Sequence, residues 1–125
     1  MRLLLDTHIL LWWLANNRKL SARGREAIAA ADQLVFVSAA SGWEIAIKKA
    51  IGKLSAPDDL IGVLEENQFI ELPVRLAHTA QVEILPAIHQ DPFDRLLVAQ
   101  AMQENLVLMT HDPQLARYPV ETLLV

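Results

Sequence analysis

The chain contains no cysteine. That absence removes disulfides, thiolate zinc sites, iron–sulfur clusters and cysteine nucleophiles together, and it suits a reducing cytoplasm better than a secreted scaffold. Only four glycines occur, Gly24, Gly42, Gly52 and Gly62. They form no phosphate-cradling loop, which counts against nucleoside-triphosphate chemistry. A Gly-x-Ser-x-Gly elbow is missing as well. Long apolar runs are absent: the longest, Ile9 to Ala15, has seven residues, against the roughly 18 that a membrane span needs. A single Arg2 ahead of three leucines and Asp6 does not make a secretory signal. Nor is there a basic excess, since 11 Lys and Arg face 15 Asp and Glu for a net charge of −4. A protein that holds nucleic acid by a broad basic surface is thereby disfavoured. The expectation is a soluble cytoplasmic protein without membrane contact, in which any grip on a polyanion is local.

What is present is a foldable composition. The 125 residues are 53% hydrophobic with a mean hydropathy of +0.25, which fits one domain over residues 1–125 with a real core. Arg2 to Asp6 is a leucine run ending in an acid, too close to the start for a helix and best read as a buried strand. Thr7 to Ala15 reads as a helix apolar nearly all round, stopped by Asn16 and Asn17. Ser21 caps a helix to about Ala31, Leu34 to Val37 is a second buried strand, and Ser38 opens a helix ending at Gly52. Pro57 with Asp58 and Asp59 starts a helix to about Glu66, followed by a strand at Phe69 to Leu72 and a helix at Val74 to Ile84. Asp91-Pro92 begins a helix to about Glu104, Asn105 turns the chain, and Leu106 to Met109 is a strand. Asp112-Pro113 starts a short helix, and Val120 to Leu124 is the last strand. Strands alternating with helices predict an α/β fold with five mainly parallel strands, in which ligands bind beyond the carboxyl ends of the strands at the switch point.

Four acids fall where that topology would bring them together: Asp6 ending the first strand, Glu44 in the helix after the second, Asp94 in the first turn of a later helix, and Asp112 after the fourth strand. Crowded carboxylates repel, and the remedies are protonation or a hard divalent cation such as Mg²⁺ or Mn²⁺. Helix N-termini favour the ionised forms and hence the cation. A carboxylate-held cation activates water and neutralises charge growing on a phosphate, so the chemistry points to phosphodiester hydrolysis without a protein nucleophile. Taken singly, most of these acids have blander explanations. Asp91 and Asp112 both precede a proline and serve equally well as N-caps, with Asp94 at the third helical position. Ser41-Gly42-Trp43-Glu44 spells a capping box, and Glu44 otherwise pairs with Lys48 one turn on. Asp6 resists this treatment, because no ordinary need places an acid at the buried end of a leucine strand.

The four acids equal the whole negative excess of the chain, leaving the rest neutral on average. Lys48, Lys49, Lys53 and Arg95 lie near Glu44 and Asp94 in sequence and either contact phosphate or form a solvated helix face. His8 and His111 flank two of the acids and are open to ligation or proton transfer, whereas His78 and His89 show no metal spacing; all four are read as structural. Trp12 and Trp13 either complete the core or mark apolar surface that a partner covers.

The ordered set resembles the PIN-domain family, specifically the VapC-type toxin ribonucleases of toxin–antitoxin pairs. The resemblance rests on Leu3-Leu4-Leu5-Asp6-Thr7-His8, on Ser38-Ala39-Ala40-Ser41-Gly42-Trp43-Glu44-Ile45, on His89 through Ala101 with Asp91-Pro92-Phe93-Asp94-Arg95 as its most specific stretch, and on Leu108-Met109-Thr110-His111-Asp112. It implies a three-layer α/β/α sandwich, Mg²⁺ or Mn²⁺ in an acidic pocket of Asp6, Glu44, Asp94 and Asp112, and endonucleolytic cleavage of RNA. Thr7 and Thr110 would support the acids with hydroxyls, Asp91 would replace or assist one of them, and Lys48 and Arg95 would touch RNA. A VapB-like antitoxin and a homodimer are implied too. Two other possibilities compete. Asp6-Thr7-His8 is superficially similar to the nucleophile motif of haloacid-dehalogenase phosphatases, although His8 stands where a second aspartate belongs. A non-catalytic interaction module would use its acids only as helix caps.

Overall fold

The computed structural model describes residues 1–125. Five strands form one parallel sheet: β1 (Arg2–Leu5), β2 (Leu34–Ser38), β3 (Ile70–Leu72), β4 (Val107–Thr110) and β5 (Thr122–Leu124), in the order β3-β2-β1-β4-β5. The strand registers pair Leu5 with Val37 on one side and with Met109 on the other. β1 is therefore central, and the chain leaves it in opposite directions, which opens a crevice at the carboxyl ends of β1 and its neighbours.

Six helices cover the sheet: α1 (Thr7–Leu14), α2 (Ala22–Ala29), α3 (Ala39–Ala50), α4 (Leu60–Glu66), α5 (Leu76–Glu83) and α6 (Pro92–Glu104). Alternate residues of β1 feed two separate cores. Leu3 and Leu5 pack with Ile9 and Leu10 of α1, Ile28 of α2 and Ile45 of α3, while Leu4 packs on the other face with Leu97, Val98 and Ala101 of α6. A strand buried on both faces has to be apolar at every position, which explains the unbroken leucines. The result is the three-layer α/β/α sandwich expected from the sequence.

Capping fixes where the helices begin. Asp6, Ser21, Ser38, Asp59 and Asp91 each accept a backbone N–H from the first turn of α1, α2, α3, α4 and α6 respectively. Asn105 ends α6 in the left-handed conformation at φ 54°, as its small polar side chain allows. Ser38 opens α3 as expected, while other details differ from the sequence expectation. Ser41 is not a cap: it lies inside α3, buried, and accepts a hydrogen bond from the Thr7 hydroxyl at 3.0 Å. Two serines three residues apart offer the same local signal, and the pairing of Ser38 with Leu72 decides between them by carrying β2 directly to the helix. α5 begins at Leu76 instead of Val74, and the segment after Asp112-Pro113 forms one 3-10 turn, Leu115–Arg117.

Trp12 and Trp13 are half-buried against the α1 side of the core. The Trp13 indole N–H donates to Asn67 at 3.0 Å, and Trp12 meets the His111 ring edge-on at 5.3 Å. No helix is long and apolar enough to cross a membrane.

Candidate active site

The site is built at the carboxyl edge of the central strand. Asp6, 5% exposed, directly follows β1 and uses both carboxylate oxygens. Oδ1 accepts from the Ile9 backbone N–H at 2.8 Å, and Oδ2 accepts from the Thr110 hydroxyl at 2.5 Å. Burial pushes its pKa up, against the pull of those two donors. Thr110, the last residue of β4, works in two directions, because its Oγ also accepts the Asp112 backbone N–H at 3.0 Å. One buried hydroxyl thus sets two acids on adjacent strands.

Asp112 turns its Oδ1 to the Gln114 N–H at 2.9 Å and its Oδ2 to His89 Nε2 at 3.0 Å. His89 was assigned no site role from sequence, and its placement overturns that expectation. Its Nδ1 accepts the Asp91 backbone N–H at 3.0 Å, which leaves the proton on Nε2 and makes that nitrogen a donor to Asp112. Nε2 also lies 3.5 Å from Asp94 Oδ2, so donor atoms of His89, Asp94 and Asp112 all fall within 4.8 Å of one another. The backbone of His89 is held as firmly, with its N–H donating to the Tyr118 hydroxyl at 2.8 Å.

Arg95 explains the rest of that loop. Its guanidinium donates to the carbonyls of Val82, Pro86 and His89 and to the Tyr118 hydroxyl. An arginine engaged on three carbonyls braces the segment that carries His89. The signal was weak in sequence because each partner is 6 to 23 residues away.

The first turn of α6 supplies two further acids with unlike environments. Asp91 caps the helix, its Oδ1 accepting from the N–H groups of Phe93 and Asp94 at 2.8 and 3.2 Å. Asp94, by contrast, has no donor closer than His89. Burial first, and then the charges of Asp91, Asp6 and Glu44, push its pKa up to about 7.

Glu44, in α3, completes the crowd. It is 4% exposed; Oε2 accepts from the Lys48 ammonium at 2.5 Å, while Oε1 is buried with no partner. Glu44 holds the Lys48 pKa above its ordinary range, with Asp91 and Asp94 adding to the effect. A cleft of about 390 Å³ opens beside Glu44, lined by Thr7, His8, Leu11, Lys48, Lys53 and Leu54. His8 lines that cleft, whereas the other two histidines are engaged elsewhere. His78 is buried under the start of α5, where its Nδ1 accepts the Arg75 N–H at 2.9 Å, and His111 lies 2.6 Å from the Val125 carbonyl.

Asp6, Glu44, Asp91 and Asp94 therefore share one field, and Asp112 joins them through Thr110 and His89. This donor set fits a hard divalent cation on two counts. It is almost entirely carboxylate oxygen, the ligand type Mg²⁺ and Mn²⁺ select. It also contains a buried carboxylate oxygen without a partner, Glu44 Oε1, and an Asp94 that burial and its neighbours drive towards the proton.

Comparison with known proteins agrees with this architecture. Residues 3–121 match the PIN domain family. Ribonuclease VapC22 of Mycobacterium tuberculosis is 34% identical over 119 residues, covering 90% of this chain and 88% of that protein. Among solved structures, VapBC2 from Rickettsia felis bound to a promoter DNA fragment superposes with a TM-score of 0.74 at 15% identity, covering 98% of both chains. VapBC-1 from nontypeable Haemophilus influenzae gives 0.65 at 19% identity, covering 99% of this chain and 98% of that one. The order of the motifs, the sheet with β1 at its centre and the match over nearly the whole length lead to one conclusion: this chain belongs to the PIN-domain family.

Proposed function

We propose that this protein is a divalent-cation-dependent endoribonuclease, acting as the toxin of a toxin–antitoxin pair through one domain spanning residues 1–125. The observations that support the proposal are Asp94 lying with His89 and Asp112 within 4.8 Å, in the field of Asp91, Asp6 and Glu44, and the unpartnered Oε1 of Glu44. The 34% identity to a ribonuclease supports the substrate class. The VapBC complexes among its structural neighbours support a VapB-like antitoxin, and a cytoplasmic setting is part of the same proposal. A homodimer is part of the same proposal.

Asp6, Glu44, Asp94 and Asp112 would hold Mg²⁺ or Mn²⁺, with Asp91 able to offer the Oδ2 that its capping role leaves free. When bound, such a cation lowers the pKa of water and offsets negative charge gathering on the phosphate. The chain's own residues keep the acids in place and admit the substrate. Thr110 holds Asp6 and the turn to Asp112, the protonated Nε2 of His89 holds Asp112, and Thr7 ties α1 to α3 through Ser41. Lys48 offsets the charge of Glu44 and, with Lys53, lines the cleft where a phosphate backbone would approach. Near neutral pH Asp94 is poised to release its proton when a cation takes its place.

The test is cleavage of single-stranded RNA with and without Mn²⁺, run beside the Asp94→Asn protein. Mn²⁺-dependent cleavage by the parent and none by the variant is the expected result. Equal cleavage by both would remove Asp94 from the mechanism, and a protein that neither cuts RNA nor gains stability from Mn²⁺ would be an interaction module whose acids are caps.

A further inference from the structure

Two aromatic side chains frame the acidic cluster. Trp43 immediately precedes Glu44 in α3, and Phe93 immediately precedes Asp94 in α6. Their rings meet edge to face, with centroids 5.2 Å apart and planes at 69°. Trp43 nevertheless remains 62% exposed, so the contact with Phe93 leaves most of the indole to solvent. An amphipathic ring this open gains little for the core, and the hydrophobic effect disfavours it unless something covers it.

Its location narrows what that something is. The cleft with Lys48 and Lys53 lies on the α1 side of Glu44, whereas the aromatic pair lies on the α6 side. A strand whose phosphate sits over the acids would meet ammonium groups on one flank and an indole on the other. Single-stranded nucleic acid is recognised by this combination: cations follow the backbone, and unstacked bases lie on aromatic faces.

We infer that Trp43, steadied by Phe93, is a stacking platform for a nucleobase of single-stranded RNA next to the phosphate that is cut. The inference rests on the ribonuclease proposal and deepens it, by requiring a substrate whose base is free of a duplex at that position. Trp43 is a substrate-binding residue in this account and takes no part in the chemistry.

The experiment measures Mn²⁺-dependent cleavage kinetics on a single-stranded RNA oligonucleotide for the parent, Trp43→Ala, Trp43→Phe and Trp43→Leu proteins, with thermal unfolding checked for each. Loss of one stacked base raises KM roughly 10-fold in Trp43→Ala and leaves kcat unchanged, since the contact is the same in ground and transition states. Trp43→Phe recovers most of the loss and Trp43→Leu does not. Parent protein given oligonucleotides with single abasic sites shows the same rise in KM at one position only. Unchanged kinetics in all three variants overturn the inference and leave the ribonuclease proposal standing. A Trp43→Leu protein as good as the parent also overturns it. If the parent neither cleaves nor binds the oligonucleotide, the inference and the ribonuclease proposal fail together.

Discussion

Asp6 and Asp94 are acids at the same edge of one sheet, held in opposite ways. Asp6 is part of the scaffold: it starts α1, accepts a backbone N–H, and is joined to β4 by the Thr110 hydroxyl. Asp94 sits among three other acids with only His89 within 3.5 Å. The difference separates a carboxylate the fold needs from one the fold merely tolerates. The second kind is where the proposed cation would act, because burial and neighbouring charges leave it poorly satisfied.

The sharpest way to break the comparison is to neutralise each acid in turn. Asp6→Asn and Asp94→Asn should both reduce Mn²⁺-dependent RNA cleavage by about 100-fold or more, as loss of a key electrostatic group does. Cleavage rates under saturating Mn²⁺ decide it, and a modest effect at either position would make that acid a bystander.

Stability in the presence of the ion should follow the same division. At 100 times its dissociation constant, Mn²⁺ should stabilise the parent by about 2.7 kcal/mol, and Asp94→Asn should forfeit most of this. The gain should shrink as the pH falls below about 7, where the proton on Asp94 competes with the ion. Thermal unfolding across a pH series reads both, and a pH-independent gain would place the ion elsewhere.

Without the ion, the two acids should diverge in sign. Asp6→Ala strips the cap from α1 and strands the Ile9 N–H and the Thr110 hydroxyl, costing about 1–3 kcal/mol in urea unfolding. Asp94→Asn should stabilise the protein above pH 7. The pKa of Asp94 is raised in the folded state, from 3.8 to about 7. Folding therefore favours its protonated form, and the stability this contributes is complete below about pH 4 and lost as the pH rises through about 7. Asparagine keeps the neutral form at every pH, for a gain on the order of 1 kcal/mol above pH 7 after solvent screening. Equal stability of parent and variant at pH 8 would show that Asp94 carries no such burden.

The smallest effect belongs to the brace behind His89. Tyr118→Phe removes the acceptor of the His89 N–H and a partner of Arg95, and should cost about 1 kcal/mol. Cleavage should fall by roughly 10-fold as Asp112 loosens. A stability loss with full activity would detach this loop from the site.

Much of this arrangement was legible in the chain because its signals are local. A leucine run too short for a helix announces β1, and an aspartate at its end is conspicuous against it. Asp91-Pro92 announces α6, and Asn105 its end. The contribution of His89 was not legible, since its partner Asp112 is 23 residues away and meets it only when the loop before α6 folds over the end of β4. The bracing role of Arg95 was hidden for the same reason, since its three carbonyl partners are distant in sequence. Ser38, at the end of a short apolar strand, was legible as the start of α3, whereas the capping box spelled by Ser41 to Glu44 lies inside that helix.

The central place of β1 has a consequence for how the protein is made. Asp6 is made about a hundred residues before Thr110, whose hydroxyl fixes it, and β4 follows α6 in the chain. A half-synthesised chain holds Asp6 without Thr110, and Glu44 without Asp94 or Asp112. The contacts that set these acids therefore close only once the segment through residue 112 has been made.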